Sequence, residues 1–373
     1  MVKKILLNKN LPFKSRIRNF LSYYQVLRGA RIGWKDRFKK IFVIHPEFRT
    51  PDQEMLEDNH RKYWEAFSGK VSMNTYRVCK SISGCSTPEY IPEEIYVADI
   101  EATLNRDISI DYYNNKSFYN LWFPGSVFPK DFIHNVDGEF LDSNLNAITY
   151  NQVAAIAQTL DYPVVIKPTK DSGGGKNVFF PANPDELLSL IGTNKNLVVQ
   201  EKIRQHDFFN KYNPQGLNSI RVSLYRSVRD NKIHVLNSTL RMGMGGSLDN
   251  ETAGGIYSLI NEDGRLNGYA INKDGTRFER HPDTLLGFDE KIPDMEGLKE
   301  LAIKVTSRIF YARIVSLDAC YDAGGNWRII EANVLGQHTI RFAQYSGQPF
   351  FNRFTAEVVE YCRENHWALL KTA

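Results

Sequence analysis

The last third of the chain carries the pattern that narrows its fold most. Two apolar runs, residues 314–319 and 327–332, flank the turn sequence Asp-Ala-Gly-Gly-Asn at 322–326. That arrangement predicts an antiparallel hairpin. Alternate side chains of a strand share a face, so Glu331 and Asn333 point the same way. Asp318 lies on the partner strand, where pairing brings it beside them. Val315, Leu317, Ile329 and Ile330 predict that the hairpin is buried, and buried acids need a partner. Two carboxylates and an amide oxygen are hard donors, suited to Mg²⁺ held between protein and nucleotide phosphates. The plainer alternative is a solvated hairpin whose acids do nothing.

Upstream, the unbroken apolar run 163–168 predicts a buried strand bearing Lys167, followed by the glycine-rich turn Ser172-Gly173-Gly174-Gly175-Lys176. Glycines let backbone N–H groups approach phosphate oxygens, and a lysine ahead of them adds charge. The pattern is neither a P-loop nor a dinucleotide fingerprint, and by itself an ordinary hairpin turn explains it. A third segment, Val198-Val199-Gln200-Glu201-Lys202-Ile203, runs from an apolar strand into polar residues and is followed by Asp207. Its main chain offers an edge for an adenine, and Asp207 offers a carboxylate for ribose hydroxyls.

Further strands are predicted at 178–180, 220–225 and 234–242, and helices at 52–68, 144–160, 295–310 and 350–365. Asp142 and Ser143 are candidate caps for the helix at 144–160. Residues 40–45 read as a short strand or a junction, and Ile95/Val97 and Ile108/Ile110 as strand-like alternations. The fold class is therefore α+β with antiparallel hairpins. Three segments are expected: a basic arm over 1–45, an N-terminal α/β domain over 46–143, and a nucleotide-binding domain over 144–373. The last divides into 144–205, carrying the glycine-rich loop, and 206–373, carrying the metal and substrate residues.

Residues 1–40 hold twelve lysines and arginines against one acid, Asp36, a net +11 that leaves the rest of the chain at −7. Aromatic and aliphatic residues recur between them at helical intervals. Such a stretch either lies on an anionic membrane surface or packs on the body through its aromatics. Basic residues alone specify no nucleic-acid module, so no nucleic-acid partner is expected. No apolar run is long enough to span a bilayer, and the four cysteines, which lack metal-ligand spacing, are expected as buried, reduced thiols. The expected location is the cytoplasm, with peripheral contact at the inner face of the membrane through residues 1–40.

Lys167, the glycine-rich loop, the Gln-Glu-Lys-Ile segment, and Asp318 with Glu331 and Asn333 together resemble the ATP-grasp superfamily. The resemblance implies ATP and Mg²⁺ bound between two α+β lobes, preceded by a smaller N-terminal domain and the basic helical arm. Lys167 would contact the α/β phosphates and Ser172–Gly175 would cover them. Gln200 belongs to the adenine-binding segment, main-chain groups of Glu201 and Ile203 would read the base, and Asp207 would bind ribose. Lys116 matches an earlier lysine near the nucleotide. A narrower resemblance, to the sugar-transfer-associated ATP-grasp proteins of bacterial surface-polysaccharide genes, covers most of 60–345. It rests on Asn114-Asn115-Lys116, Leu217–Val222, Arg241-Met242-Gly243, Leu248-Asp249-Asn250 with Gly254-Gly255, and His281–Thr284. Asn115-Lys116 stands where that family has Asp-Lys, which keeps the lysine and removes an acid.

In such a site Arg241 and Arg221 would grip the transferring phosphoryl group, because its stabilisation is mostly electrostatic. Arg221 has a structural salt bridge as its alternative. Asn250 would stand beside the metal. His338 and Arg341, directly after the metal strand, would face the acceptor pocket, since arginine suits carboxylate recognition. His281 is a further substrate-pocket candidate whose turn also suits an architectural role. The reaction implied is ligation of a carboxylate to an amine through an acyl phosphate, on a small-molecule or glycan substrate, with a homodimer as a candidate assembly. The alternatives are a phosphotransferase acting on a sugar hydroxyl and a non-catalytic ATP-binding scaffold.

Overall fold

The computed structural model describes residues 1–170, 177–246, 254–337 and 340–370. The chain opens with α1 (Val2–Leu6) and the 32-residue α2 (Phe13–Ile44). One stripe of α2, including Tyr23, Leu27, Trp34, Phe38 and Ile41, is buried at helical spacing. Asn19 donates from its side chain to the carbonyls of Ala368 (3.1 Å) and Leu370 (3.0 Å), and Tyr23 donates to Asp99 (3.0 Å). The carboxylate of Asp99, fully buried, also meets His366 Nε2 at 3.0 Å. These contacts clamp the arm onto the body.

α3 (Glu54–Trp64) and α4 (Asn74–Ser83) follow, and α4 stops where Gly84 takes a left-handed conformation, φ +76°. Glu93–Ile95, Tyr96–Glu101 and Ala102–Leu104 run on as one helical stretch with π-type hydrogen bonding in the middle. Residues 46–123 are helical or irregular and contain no strand. The strand-like alternations at 95–97 and 108–110 are thus helical turns, and residues 40–44 are the last turn of α2.

Two antiparallel sheets make up the rest. The smaller contains β1 (Asp131–Val136), β2 (Glu139–Asp142), β3 (Val165–Pro168) and β4 (Leu197–Gln200), in the order β2-β1-β4-β3. Its core joins Ile133, Ile166 and Val199 to Val153 and Leu187 of the helices Tyr150–Ala157 and Pro184–Thr193. This sheet begins at residue 131, ahead of the boundary at 144. The β1–β2 hairpin had a readable signal: Asp137-Gly138 is a two-residue turn with φ +55° and +98°. The helix expected from 144 starts at Tyr150, capped by Thr149 through a capping box with Gln152. Asp142 instead accepts the N–H groups of Asn144 and Asn146 to close the preceding loop.

The larger sheet has the order β11-β10-β5-β6-β7-β8-β9. Its strands are β5 (Ser219–Arg226), β6 (Ile233–Met242), β7 (Ile256–Ile260), β8 (Ala270–Asn272), β9 (Arg277–Phe278), β10 (Ile314–Tyr321) and β11 (Trp327–Asn333). The helix Met295–Ser307 covers it with Leu298, Ala302 and Val305, capped by Asp294. The last long helix is Thr355–Glu364. Cys79, Cys320 and Cys362 are buried free thiols, whereas Cys85 is an exposed one. Among the described residues no helix is long and apolar enough to cross a membrane.

Candidate active site

The site grows from the centre of the larger sheet. On β10, Asp318 is in register with Glu331 of β11 on one side and Arg221 of β5 on the other. Arg221 grips Asp318 with two parallel hydrogen bonds, Nε to Oδ1 at 2.7 Å and Nη2 to Oδ2 at 2.6 Å. Arg241, on β6, adds Nη1 to Oδ1 at 3.1 Å. Asn333 approaches the same carboxylate through Nδ2 at 3.5 Å. Asp318 is only 6% exposed. Burial works to raise its pKa, but the two guanidinium groups prevail and hold it down to about 2.

Glu331 belongs to a second set. Its Oε1 pairs with Lys116 Nζ at 2.8 Å. Lys116 is buried, and its backbone N–H donates to Thr169 just past β3 (2.8 Å). One turn on, the hydroxyl of Tyr119 donates to Ala332 O (3.3 Å) and accepts from Ala332 N–H (3.2 Å). Tyr119 thereby fixes the segment carrying Lys116 against β11, midway between Glu331 and Asn333. Sequence reasoning missed this residue, because nothing local distinguishes it from other core tyrosines.

Lys167 rises from β3 and is 8% exposed. No ion pair to it occurs among the described residues. Burial, then the nearby positive charge of Lys116, pushes its pKa down to about 8 against the pull of Glu331 and Asp131. Lys167, Asn115, Thr169 and Asn196 line a cavity of about 440 Å³ beside β3. Beneath lies a buried group that the sequence did not reveal. Gln200 Nε2 donates to Asp131 Oδ1 (2.7 Å), and Asn120 Nδ2 donates to Asp131 Oδ2 (2.8 Å). The amide oxygen of Gln200 is buried without a hydrogen-bond partner among the described residues.

Other expected residues are placed less centrally. The Glu201 N–H is already donated to Lys130 O (3.0 Å), and its carboxylate is held by Lys130 N–H and Arg328. Of its backbone, only the carbonyl remains for a base. Ile203 is half-buried in the extended segment beyond β4. Asp207 is exposed at the first position of a single turn and accepts from Asn210 Nδ2 (3.0 Å). His281 has both ring nitrogens engaged within the fold. Its Nε2 meets Gly243 O at 3.0 Å and its Nδ1 accepts from Asp283 N–H, so it anchors the turn after β6. Arg341, on the short helix Ile340–Gln344, lies over the Phe342 ring at 5.3 Å, and Arg221 lies over the same ring at 6.0 Å. That shared ring brings Arg341 close to Arg221. Ser172, Gly173, Gly174 and Gly175 of the glycine-rich loop, together with Asn250 and His338, lie outside the described residues.

Lys116, Lys167, Arg221 and Arg241 thus gather about Asp318, Glu331 and Asp131, four cations to three acids among the described residues of a largely buried site. Residues 184–356 match the family described as Sugar-transfer associated ATP-grasp. That segment is a sugar-transfer-associated ATP-grasp region. Within it fall Arg221, Arg241, Asp318, Glu331 and Asn333, while Lys116 and Lys167 precede it. No curated protein matches the chain in sequence. Among solved structures, the chain is similar to N5-carboxyaminoimidazole synthetase from Staphylococcus aureus complexed with ADP, at 12% identity and TM-score 0.41, covering 67% of this chain and 52% of that one. It is also similar to L-amino acid ligase from Bacillus licheniformis (13%, TM-score 0.40, covering 66% and 47%). A third is D-alanine–D-alanine ligase from Bacillus anthracis (13%, TM-score 0.38, covering 68% and 69%). The chain spans about half the length of the first two. Likenesses this distant say nothing of what it acts on.

Proposed function

We propose that the protein is an ATP-dependent ligase that joins a carboxylate to an amine, with a sugar acid of a surface glycan as the carboxylate partner. The observation that carries this reading is the buried charge surplus. Among the described residues Lys116, Lys167, Arg221 and Arg241 outnumber Asp318, Glu331 and Asp131, and a polyphosphate supplies the charge the site lacks. Glu331 and the Asn333 amide oxygen, with the Asp318 carboxylate that Arg221 and Arg241 also hold, would suit a magnesium ion by their chemistry. Such an ion, when bound, neutralises phosphate charge during transfer.

The chain's own residues then have distinct tasks. Lys167 and Lys116 hold the nucleotide phosphates. Lys116 does so by exchanging its contact with Glu331 for one with phosphate, which frees that carboxylate for the cation. Arg241 and Arg221, oriented by Asp318, stabilise the γ-phosphoryl group as a carboxylate oxygen attacks phosphorus and the bond to the β-phosphate oxygen breaks. ADP and an acyl phosphate result. The amine then attacks the acyl carbon, the C–O bond to phosphate breaks, and the phosphate leaves with a proton from the nitrogen. Arg341 is placed to hold a substrate carboxylate. Gln200, through its unpartnered amide oxygen, offers an acceptor to an exocyclic amine such as that of adenine. Asp207 is the candidate for ribose.

The test is ATP consumption by the purified chain with uronic acids and amino acids, singly and in pairs. ADP and free phosphate rising together only with both partners, and a product lighter than their sum by one water, support ligation. A product heavier by a phosphoryl group, without free phosphate, would make the protein a kinase.

A further inference from the structure

The arm packs on the body through one stripe of α2, and a second stripe, about a third of a turn round the helix from it, is exposed. Phe13, Ile17, Leu21, Tyr24 and Ile32 are 68%, 36%, 53%, 50% and 51% exposed. Together with exposed Arg28, Lys35 and Lys39 they recur every three or four residues, which on a helix makes a single continuous ridge. The ridge runs about 40 Å, at 1.5 Å per residue. Lys14 and Arg18 flank it, and Asp36 is the one acid in residues 1–40. Beside its middle, Val2, Lys3, Tyr24, Leu27, Arg28 and Ile32 help line a groove of about 570 Å³ whose floor is apolar and whose edge is cationic.

We propose that this ridge docks the protein on an anionic lipid bilayer, with the groove receiving part of one lipid's acyl chain. The proposal goes beyond the ligase reading and does not depend on it. Charge complementarity selects the occupant. The arm carries +11 while the rest of the chain carries −7, so the attraction to an anionic surface is concentrated in the arm. A second copy of the chain would bring like charge against like. A nucleic-acid backbone would satisfy the cations but would leave the five apolar side chains and the groove unused. A bilayer satisfies both, taking apolar side chains below the headgroups and cations among the phosphates. Trp34, Phe38 and Ile41 of the inner stripe stay with the body, while Tyr23 and Leu27 form the inner wall of the groove.

The experiment is sedimentation of the full chain with vesicles of phosphatidylcholine alone and of phosphatidylcholine with phosphatidylglycerol. Binding is expected only to the anionic vesicles and should weaken with added salt. Arg28→Gln with Lys35→Gln should weaken it about thirtyfold, and Leu21→Ser about tenfold. All three positions are exposed, so thermal unfolding should not change. Equal sedimentation with neutral vesicles, or none with anionic ones, overturns the proposal. So does self-association abolished by Leu21→Ser, or duplex DNA binding lowered by Arg28→Gln with Lys35→Gln, if anionic vesicles are not bound.

Discussion

The two sheets treat buried charge in opposite ways. In the larger, Asp318 is neutralised in advance: two arginines from neighbouring strands hold it, and the register of β10, β5 and β6 sets their positions. In the smaller, Lys167 is buried with no ion pair among the described residues, and its pKa is pushed down to about 8 as a result. One region is assembled before any ligand arrives. The other carries a deficit of negative charge that a phosphate would fill. The contrast indicates where binding energy enters: the large sheet supplies fixed geometry, and the small sheet supplies affinity that depends on protonation.

Glu331→Gln should break the contrast most severely. The variant keeps its shape but loses the carboxylate that pairs with Lys116 and that we assign to a magnesium ion, so ATP turnover should fall by about a thousandfold with an unchanged circular dichroism spectrum. Retained activity would remove Glu331 from the site.

Asp318→Asn tests whether the large sheet is truly neutralised in advance. It leaves Arg221 and Arg241 buried without their counter-ion, and urea denaturation should show a loss of about 3–5 kcal/mol. The pH dependence follows from the same pair. The folded-state pKa of Asp318 lies below its unfolded value, so its support is complete above about pH 4 and is lost as pH falls towards about 2. The asparagine variant should lose that part of the acid transition.

Lys167 sharpens the other half. Its folded pKa is lowered, and a bound polyphosphate favours the charged ammonium, so nucleotide binding above about pH 8 should take up a proton. Affinity should then fall as pH rises through that value, approaching about tenfold per unit. Calorimetry in two buffers of different ionisation enthalpy measures the uptake, and Lys167→Met should abolish it. The smallest effect belongs to Tyr119→Phe, which removes the link between the Lys116 segment and β11. About 1 kcal/mol of stability should be lost, with a modest weakening of nucleotide binding.

The hairpin carrying Asp318, Glu331 and Asn333 was legible because a period of two and an Asp-Ala-Gly-Gly-Asn turn fix both pairing and facing. Strands β3 to β6 were legible for similar reasons. The helical stretch over Glu93–Leu104 was not. It is buried on nearly every side, so its sequence shows no polar face and no clear period of 3.6. The 32-residue α2 was misread at its end, because Lys40–His45 packs Ile41 and Phe42 inward and reads alone as an apolar run. Among site residues, Arg221 and Arg241 were found as cations on adjacent strands, while their convergence on one carboxylate is a property of sheet order. Asp131, Asn120 and Tyr119 come from separate segments and acquire meaning only when packed. His281 had the right chemistry for a substrate residue, but its two nitrogens are used to hold the backbone of the turn after β6.

The central claim is that a carboxylate attacks the γ-phosphate of ATP. The most direct measurement uses a carboxylate substrate labelled with ¹⁸O in both oxygens, an amine and MgATP, with mass analysis of the released phosphate. The account predicts one ¹⁸O in each phosphate, carried over from the carboxylate when the acyl phosphate is opened. Phosphate without label, released while the amide forms, would contradict it.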